Sequence, residues 1–371
     1  MSKDLTMTRR NLLRAGGALA GTAAMAGVLA GCSNGSSSAS ASASGSASAE
    51  ASSSAAASGS ASSSAASANK VILGYWGGTC EMPIYVGYEN GFFEEAGLDV
   101  EIMKITEDVA PLMANGDLDC FELTPDKFKP MEQGLECVII DSLHYGCQQG
   151  IASGESGITS FRDLEGKKVA ATIGSISQIV LAAQMKEAGL DPDKVEWMTY
   201  KNAQMQQALE SGEIDAMAAY DPWPDIIQEN VPGSVRYYSW TYDDNLKNTL
   251  CCFVGMSSKR LKENPELGKM LSEGFKKSAD WIRANPEEAC DLAINAGYVP
   301  VNTDTGFTRD MMIKEVTDYR FVSGDKQVID DSFKQIWQWI AAAGAMEDAP
   351  ADLDKYIMED LYPKMVNLQF A

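Results

Sequence analysis

The sequence predicts an α/β protein of two lobes, each a mostly parallel sheet with helices on both faces. Two observations carry that expectation. A set of landmarks recurs in the same order at separations of 98, 92 and 96 residues, and each copy alternates strand, helix, strand, helix, strand. Right-handed crossovers make such units parallel sheets. The first copy opens with the strand-like run Val71 to Trp76, turns at Gly77-Gly78 and continues as a helical stretch to Asn90-Gly91. Glu95-Ala96-Gly97-Leu98-Asp99 leads into a strand from Val100 to Ile105. A short polar helix then ends at Gly116-Asp117-Leu118-Asp119, which opens the strand through Glu122-Leu123. In the second copy Lys168 to Ile173 is the strand and Gly174-Ser175-Ile176-Ser177 opens the helix. Glu187-Ala188-Gly189-Leu190-Asp191 leads to a strand from Val195 to Tyr200, and Gly212-Glu213-Ile214-Asp215 closes the second helix. Further on, Phe333, Ile336, Trp337 and Ile340 recur at helical spacing, which assigns Trp337 to core packing.

Composition limits the partners. Thirty Lys and Arg face 52 Asp and Glu among 371 residues, a formal charge of −22. That excess opposes nucleic-acid binding, which needs a basic stripe, and would repel an anionic bilayer. With a single histidine, His144, multi-histidine metal sites and a catalytic His pair are ruled out.

The N-terminus reads as an export segment. Lys3, Arg9, Arg10 and Arg14 precede a run of small and apolar residues from Ala15 to Gly31, too short for a spanning helix and suited to a signal h-region. Thr8-Arg9-Arg10-Asn11-Leu12-Leu13-Arg14 resembles the twin-arginine export motif. Leu29-Ala30-Gly31-Cys32 resembles the bacterial lipobox, in which the cysteine receives a lipid and becomes the new N-terminus. In residues 33–68, 31 of the 36 positions are Ser or Ala, and no large side chain offsets the entropy of ordering the backbone. The segment is expected to be a disordered tether. Beyond Cys32 lie Cys80, Cys120, Cys137, Cys147, Cys251, Cys252 and Cys290, without a Cys-x-x-Cys pair. Cys137, His144 and Cys147 form a loose cluster, a weak metal signal, so neither a metal nor a cofactor is expected.

Open α/β sheets bind ligands beyond the carboxyl ends of their strands. In the first copy those ends place Tyr75, Trp76 and Thr79 beside Glu122 and Thr124. In the second they place Ser175 and Ser177 beside Tyr220, Asp221 and Trp223. The aromatic residues are expected to clamp a flat or apolar ligand from both sides. Gly174 lets the backbone approach a ligand, and the amides that open the following helix are free donors.

The order of export signal, lipobox, tether and duplicated lobes resembles the solute-binding lipoproteins of ABC importers. Within them the chain is similar to the nitrate, aliphatic-sulfonate, taurine and thiamine-pyrimidine group. The resemblance rests on Glu89-Asn90-Gly91-Phe92-Phe93-Glu94-Glu95-Ala96-Gly97-Leu98-Asp99-Val100, on Ser156-Gly157-Ile158 with Asp163-Leu164-Glu165-Gly166-Lys167-Lys168-Val169-Ala170, and on Ala208-Leu209-Glu210-Ser211-Gly212-Glu213-Ile214-Asp215-Ala216. It covers about residues 70–295. It implies a periplasmic-binding-protein type II fold with two crossover strands near Gly150 to Ser156 and Tyr237 to Thr241. Its expected divisions are an export signal (1–31), a tether (32–69), a first lobe (70–155), a second lobe (156–240) and the completion of the first lobe with C-terminal helices (241–371). It also implies a monomer on the outer face of the cytoplasmic membrane, held there only by its N-terminal lipid. Its partners would be a small-molecule ligand and an ABC permease with its ATPase.

None of the four predicted loops contains Lys or Arg, whereas Glu81, Glu122 and Asp221 stand in or beside them. A small oxyanion would be expected to use basic side chains as well as amides. The expected ligand is therefore neutral or amine-bearing, such as an aminopyrimidine precursor of thiamine. The alternative is a sulfonate, taurine or nitrate held by the helix that starts at Ser177. Thiamine-pyrimidine synthases share the fold and carry a cysteine-rich run that Thr249-Leu250-Cys251-Cys252-Phe253-Val254-Gly255 distantly resembles. Only two of that run's cysteines are present and His144 lies more than 100 residues upstream, so no enzyme activity is expected. A surface scaffold is a further alternative, although it would not need two facing lobes.

Overall fold

The computed structural model describes residues 68–301, 304–346 and 349–370. Arg9, Arg10, Cys32 and all but the last two residues of the expected tether lie outside the described residues. In chain order the strands are β1 (Lys70–Tyr75), β2 (Asp99–Lys104), β3 (Cys120–Leu123), β4 (Cys137–Tyr145), β5 (Gln148–Ala152), β6 (Lys168–Ala170), β7 (Glu196–Met198), β8 (Ala216–Tyr220), β9 (Val235–Ser239), β10 (Cys252–Ser257) and β11 (Arg320–Phe321). They form a six-stranded sheet in the order β11-β4-β10-β3-β1-β2 and a five-stranded sheet in the order β7-β6-β8-β5-β9. The helices that matter here are α1 (Met82–Glu89), α2 (Val109–Asn115), α3 (Ile176–Glu187), α4 (Asn202–Glu210), α5 (Trp223–Asn230), α6 (Glu266–Ala284), α7 (Arg309–Asp318) and α8 (Lys326–Ala342).

The repeat is visible in the backbone. Gly97 and Gly189, and likewise Gly116 and Gly212, all have φ between 71° and 97°, a left-handed conformation that favours glycine. The acid that closes each motif also does one job twice. Asp119 accepts the backbone N–H of Ile72 at 2.9 Å and Asp215 accepts that of Lys168 at 2.8 Å, each tying its own strand to the parallel neighbour. Within each copy the strands pair in parallel: β1 with β2 and β3, β6 with β7 and β8. The strands beside the crossings run the other way. β10 is antiparallel to β3 and β4, and β5 is antiparallel to β8 and β9. Both sheets are therefore mixed, because a chain returning from the other sheet enters in the reverse direction.

The first crossing sits earlier than expected and the return extends later. β5 already belongs to the second sheet, so the chain passes over at Gly146-Cys147 rather than within Gly150 to Ser156. It returns between Ser239 and Cys252, where Trp240 is fully buried. Every residue from Cys137 to Ile151 except Tyr145 is buried, with no polar loop between the two strands to mark the first passage. Its only local mark is Gly146 at φ 100° followed by Cys147 at φ 76°.

β10 and β11 belong to the six-stranded sheet. Phe333, Ile336, Trp337 and Ile340 of α8 are all fully buried. The opposite end of α8 packs on α3, the helix that follows β6, and Lys186 donates to the Ala343 carbonyl at 3.0 Å. Phe93 is wedged between α1 and α6, where Gly87 and Gly274 leave room for its ring; a Cβ at either would fall far inside van der Waals contact.

Candidate functional site

A cavity of about 340 Å³ lies between the two sheets. Each wall comes from the carboxyl end of a strand. Trp76, Gly78, Cys80 and Glu81 follow β1, while Glu122, Thr124, Asp126 and Lys127 end or follow β3. Thr172, Ser175, Ile176 and Ser177 follow β6, with Ala218, Ala219 and Tyr220 from β8. Cys147 and Gln148 of the first crossing, with Asn202 of α4, complete the lining.

Glu81 shapes the first wall. Its carboxylate accepts the backbone N–H groups of Trp76, Gly77 and Gly78 at 2.7 to 3.0 Å and the Tyr85 hydroxyl at 3.0 Å. Burial, followed by the nearby Glu122, pushes its carboxyl up to about 8 against the lowering effect of those amides. Glu122 pairs through Oε1 with His144 Nε2 at 2.9 Å, and its Oε2 lies 3.8 Å from the Cys80 thiol. Burial disfavours a charged His144, but hydrogen bonds to Cys80 and Glu122 outweigh it and hold the imidazole up at about 10. At neutral pH His144 is thus an imidazolium, buried against Glu122 at the cavity wall.

In the second wall, Ser175 caps α3 by accepting the Gln178 amide, and Ser177 donates to Gln148 Oε1 at 2.7 Å. A helix leaves its first-turn amides without intrahelical partners, so the α3 terminus presents donors here. Burial, then Glu81, raises the Tyr220 hydroxyl, which stays protonated at neutral pH.

Six of the ten expected ligand residues line this cavity: Trp76, Glu122, Thr124, Ser175, Ser177 and Tyr220. The other four lie outside its lining. Tyr75 points its ring into a cluster with Tyr85 and Tyr298, at centroid distances of 5.5 and 5.4 Å. The Thr79 hydroxyl is buried and donates to Glu315 of α7. Asp221 is buried, accepting from Gln149 at 2.6 Å and from the Tyr319 hydroxyl at 2.5 Å. Trp223 opens α5 and packs on the core, outside the cavity lining. Of the four expected aromatic residues, Trp76 and Tyr220 line the cavity, one after β1 of the first sheet and one from β8 of the second.

Sequence reasoning missed Lys127, the one lining cation, which stands three residues past the chosen loop and forms an ion pair with Asp126 at 2.6 Å. A wider window after β3 would have found it. Cys80, Cys147, Gln148 and Asn202 had no local signal. The cysteines also regroup: His144, Cys147, Cys251 and Cys252 bring ligand atoms within 4.8 Å of one another, as do Cys80, Glu122, His144 and Cys147. These donor types suit a thiophilic metal, a grouping the spacing in the chain did not reveal. Cys137, the third member of the cluster suspected from sequence, belongs to neither group.

Two sheets with ligand loops facing across a cavity define the periplasmic-binding-protein type II architecture. The profile of the family described as NMT1/THI5 like matches residues 79–289, and the chain belongs to that family. A Brucella abortus protein named as a binding protein is 27% identical over 224 residues, covering 60% of this chain and 68% of its own length. A 4-amino-5-hydroxymethyl-2-methylpyrimidine phosphate synthase of Saccharomyces cerevisiae is 25% identical over 222 residues, covering 56% of this chain and 65% of the yeast protein. Among solved structures, the ligand-binding component of an ABC-type import system from Staphylococcus aureus, with zinc bound, superposes with a TM-score of 0.63 at 13% identity. It covers 81% of this chain and 97% of that one. The periplasmic aliphatic sulphonate binding protein of Escherichia coli superposes with a TM-score of 0.61 at 15% identity, covering 76% and 89%.

Proposed function

We propose that the protein is the lipid-anchored, extracytoplasmic solute-binding component of an ABC importer. It captures a small neutral or amine-bearing heterocycle between its lobes, an aminopyrimidine precursor of thiamine being the leading candidate, and passes it to a permease. The observation that carries this reading is the placement of the Glu122 carboxylate on the same cavity as Trp76 and Tyr220. Rings from opposite sheets offer two stacking faces, and a carboxylate accepts from an exocyclic amine. Lys127, the only Lys or Arg among the lining residues described, is already paired with Asp126. The names of the Brucella protein and of the import-system components support transport. The export segment, the lipobox at Cys32 and the tether expected from sequence support an extracytoplasmic location. Among the described residues no helix is long and apolar enough to cross a membrane, so attachment would rest on the lipid.

One observation favours a second reading. The start of α3 lines the cavity through Ser175, Ile176 and Ser177, and a helix N-terminus favours negative charge. A sulfonate of the kind named for the Escherichia coli protein could use it. Native mass spectrometry of the protein purified without refolding identifies any retained ligand. Calorimetric titration with an aminopyrimidine and with an alkanesulfonate then ranks the two classes. Binding of the sulfonate alone would overturn the ligand assignment, and binding of neither, with no retained ligand, would overturn the transport reading. Formation of a pyrimidine phosphate by the protein would favour the chemistry named for the yeast relative.

A further inference from the structure

We propose that Cys147 and Cys251 are a disulfide-forming pair that ties together the two chain crossings between the lobes. Cys147 lies on the outgoing crossing and Cys251 on the return, 104 positions apart, and their sulfurs stand 3.1 Å from one another. That is about 1 Å beyond a sulfur–sulfur bond. The crossings are already fastened side by side: Cys251 N–H donates to the His144 carbonyl at 3.2 Å and Trp240 N–H to that of Gln148 at 2.8 Å. Cys147 is the only non-glycine residue with a left-handed backbone among the described residues, a strained conformation that persists where the surroundings over-determine it. Cys252 is a poorer partner, 4.0 Å from Cys147. The Cys147–Cys251 spacing is also tight for two thiolates on one tetrahedral metal, whose sulfurs would stand about 3.8 Å apart for metal–sulfur bonds of about 2.3 Å.

Access runs through the ligand cavity. Cys251 is sealed in the core, whereas Cys147 is part of the cavity lining and meets any small oxidant that enters it. With hydrogen peroxide the Cys147 sulfur, giving up its proton as it reacts, attacks one oxygen, the O–O bond breaks, and a sulfenic acid and hydroxide result. The Cys251 sulfur then attacks the Cys147 sulfur. The S–S bond forms, the sulfenic oxygen leaves as hydroxide, and the two thiol protons turn both hydroxides into water. The pair has lost two electrons and the peroxide has gained them. The resulting loop encloses every strand of the second sheet, so oxidation would fix that lobe at its base. This goes beyond the binding reading and draws on it only for an oxidising compartment in which the bond persists.

The test uses the full chain with hydrogen peroxide, alkylation of the remaining thiols, and peptide mapping without reductant. The expected result is two fewer alkylated cysteines and a crosslink between the tryptic peptides that carry Cys147 and Cys251. Each of these peptides holds a second cysteine, Cys137 and Cys252, so variants assign the bond. The crosslink should persist in Cys252→Ser and in Cys137→Ala and vanish in Cys251→Ser. Melting temperature should rise on oxidation of the wild type and stay unchanged in Cys251→Ser. Absence of the crosslink in folded wild type, or its survival in Cys251→Ser, would overturn the proposal. So would one tightly bound metal ion per chain that keeps the thiols unreactive until chelated. Wild-type mapping decides even where a variant fails to fold, and none of these outcomes depends on which solute the cavity binds.

Discussion

Replacing His144 with Gln tests whether the charge behind the cavity wall is real. His144 is fully buried, Glu122 is 4% exposed, and they meet at 2.9 Å. Hydrogen bonds to Cys80 and Glu122 hold the imidazole up at about 10 although burial opposes its charge. In the unfolded chain it titrates near its ordinary 6.5. A folded value above the unfolded one stabilises the protein fully below pH 6.5, and that stability is lost as pH rises through about 10. Glutamine keeps a donor for Glu122 but no charge. Breaking a buried pair costs about 3–5 kcal/mol, and the retained hydrogen bond returns about 1 kcal/mol. The variant should therefore be about 3 kcal/mol less stable at pH 7, with the difference shrinking to about 0.4 kcal/mol near pH 10 and vanishing above it. Other groups titrate in the same direction: Glu81, raised to about 8, loses its contribution as pH rises from 4.5 through about 8. Subtracting the variant from the wild type removes that common background. Urea denaturation followed by tryptophan fluorescence at pH 7, 8, 9 and 10 gives both curves. A difference that stays constant across that range would show that His144 is neutral and refute the argument.

Four further outcomes follow from the packing and the N-terminus. Gly274→Ala gains about 1 kcal/mol of helix propensity but collides with the buried Phe93 ring. A net loss of about 1–2 kcal/mol by chemical denaturation is expected, and a more stable variant would show that Phe93 is not wedged as described. Trp223→Phe keeps an aromatic ring against the core outside the cavity lining; it should weaken ligand binding by less than Tyr220→Ala does, and an equal or larger loss would place Trp223 in direct contact. Cys32→Ala should leave the exported protein unattached or unprocessed in membrane fractionation, and Arg9→Lys with Arg10→Lys should block export; a cleaved mutant still in the membrane, or unchanged export, would count against the anchor and the route respectively.

Features that depend on local spacing were readable before the fold was known. The paired Gly97/Gly189 and Gly116/Gly212 turns, with Asp119 and Asp215 beside them, define the duplication, because a left-handed turn and a strand-tying carboxylate each restrict the residue type. The carboxyl-end rule then reached Trp76, Glu122 and Tyr220. It failed where neighbours in the chain face different ways: Tyr75 and Trp76 are adjacent, yet only Trp76 reaches the cavity. Thr79 and Asp221 looked like exposed loop groups, but each is buried by a partner from residues 315–319. The cysteine grouping was illegible for the same reason, since Cys80, Cys147 and Cys251 come from three distant segments. Lys127 was within reach and was lost only to a narrow choice of loop.

The central claim is that a solute is held between the sheets by groups from both. Equilibrium titration of the ligand identified by native mass spectrometry into wild type, Trp76→Ala, Tyr220→Ala and Glu122→Gln tests it most directly. Loss of either aromatic face should weaken binding by about 1–3 kcal/mol, or roughly tenfold to a hundredfold. Glu122→Gln should weaken an amine-bearing ligand while leaving a sulfonate unaffected or more tightly bound. Equal affinity in all four proteins, each shown to be folded, would contradict the account.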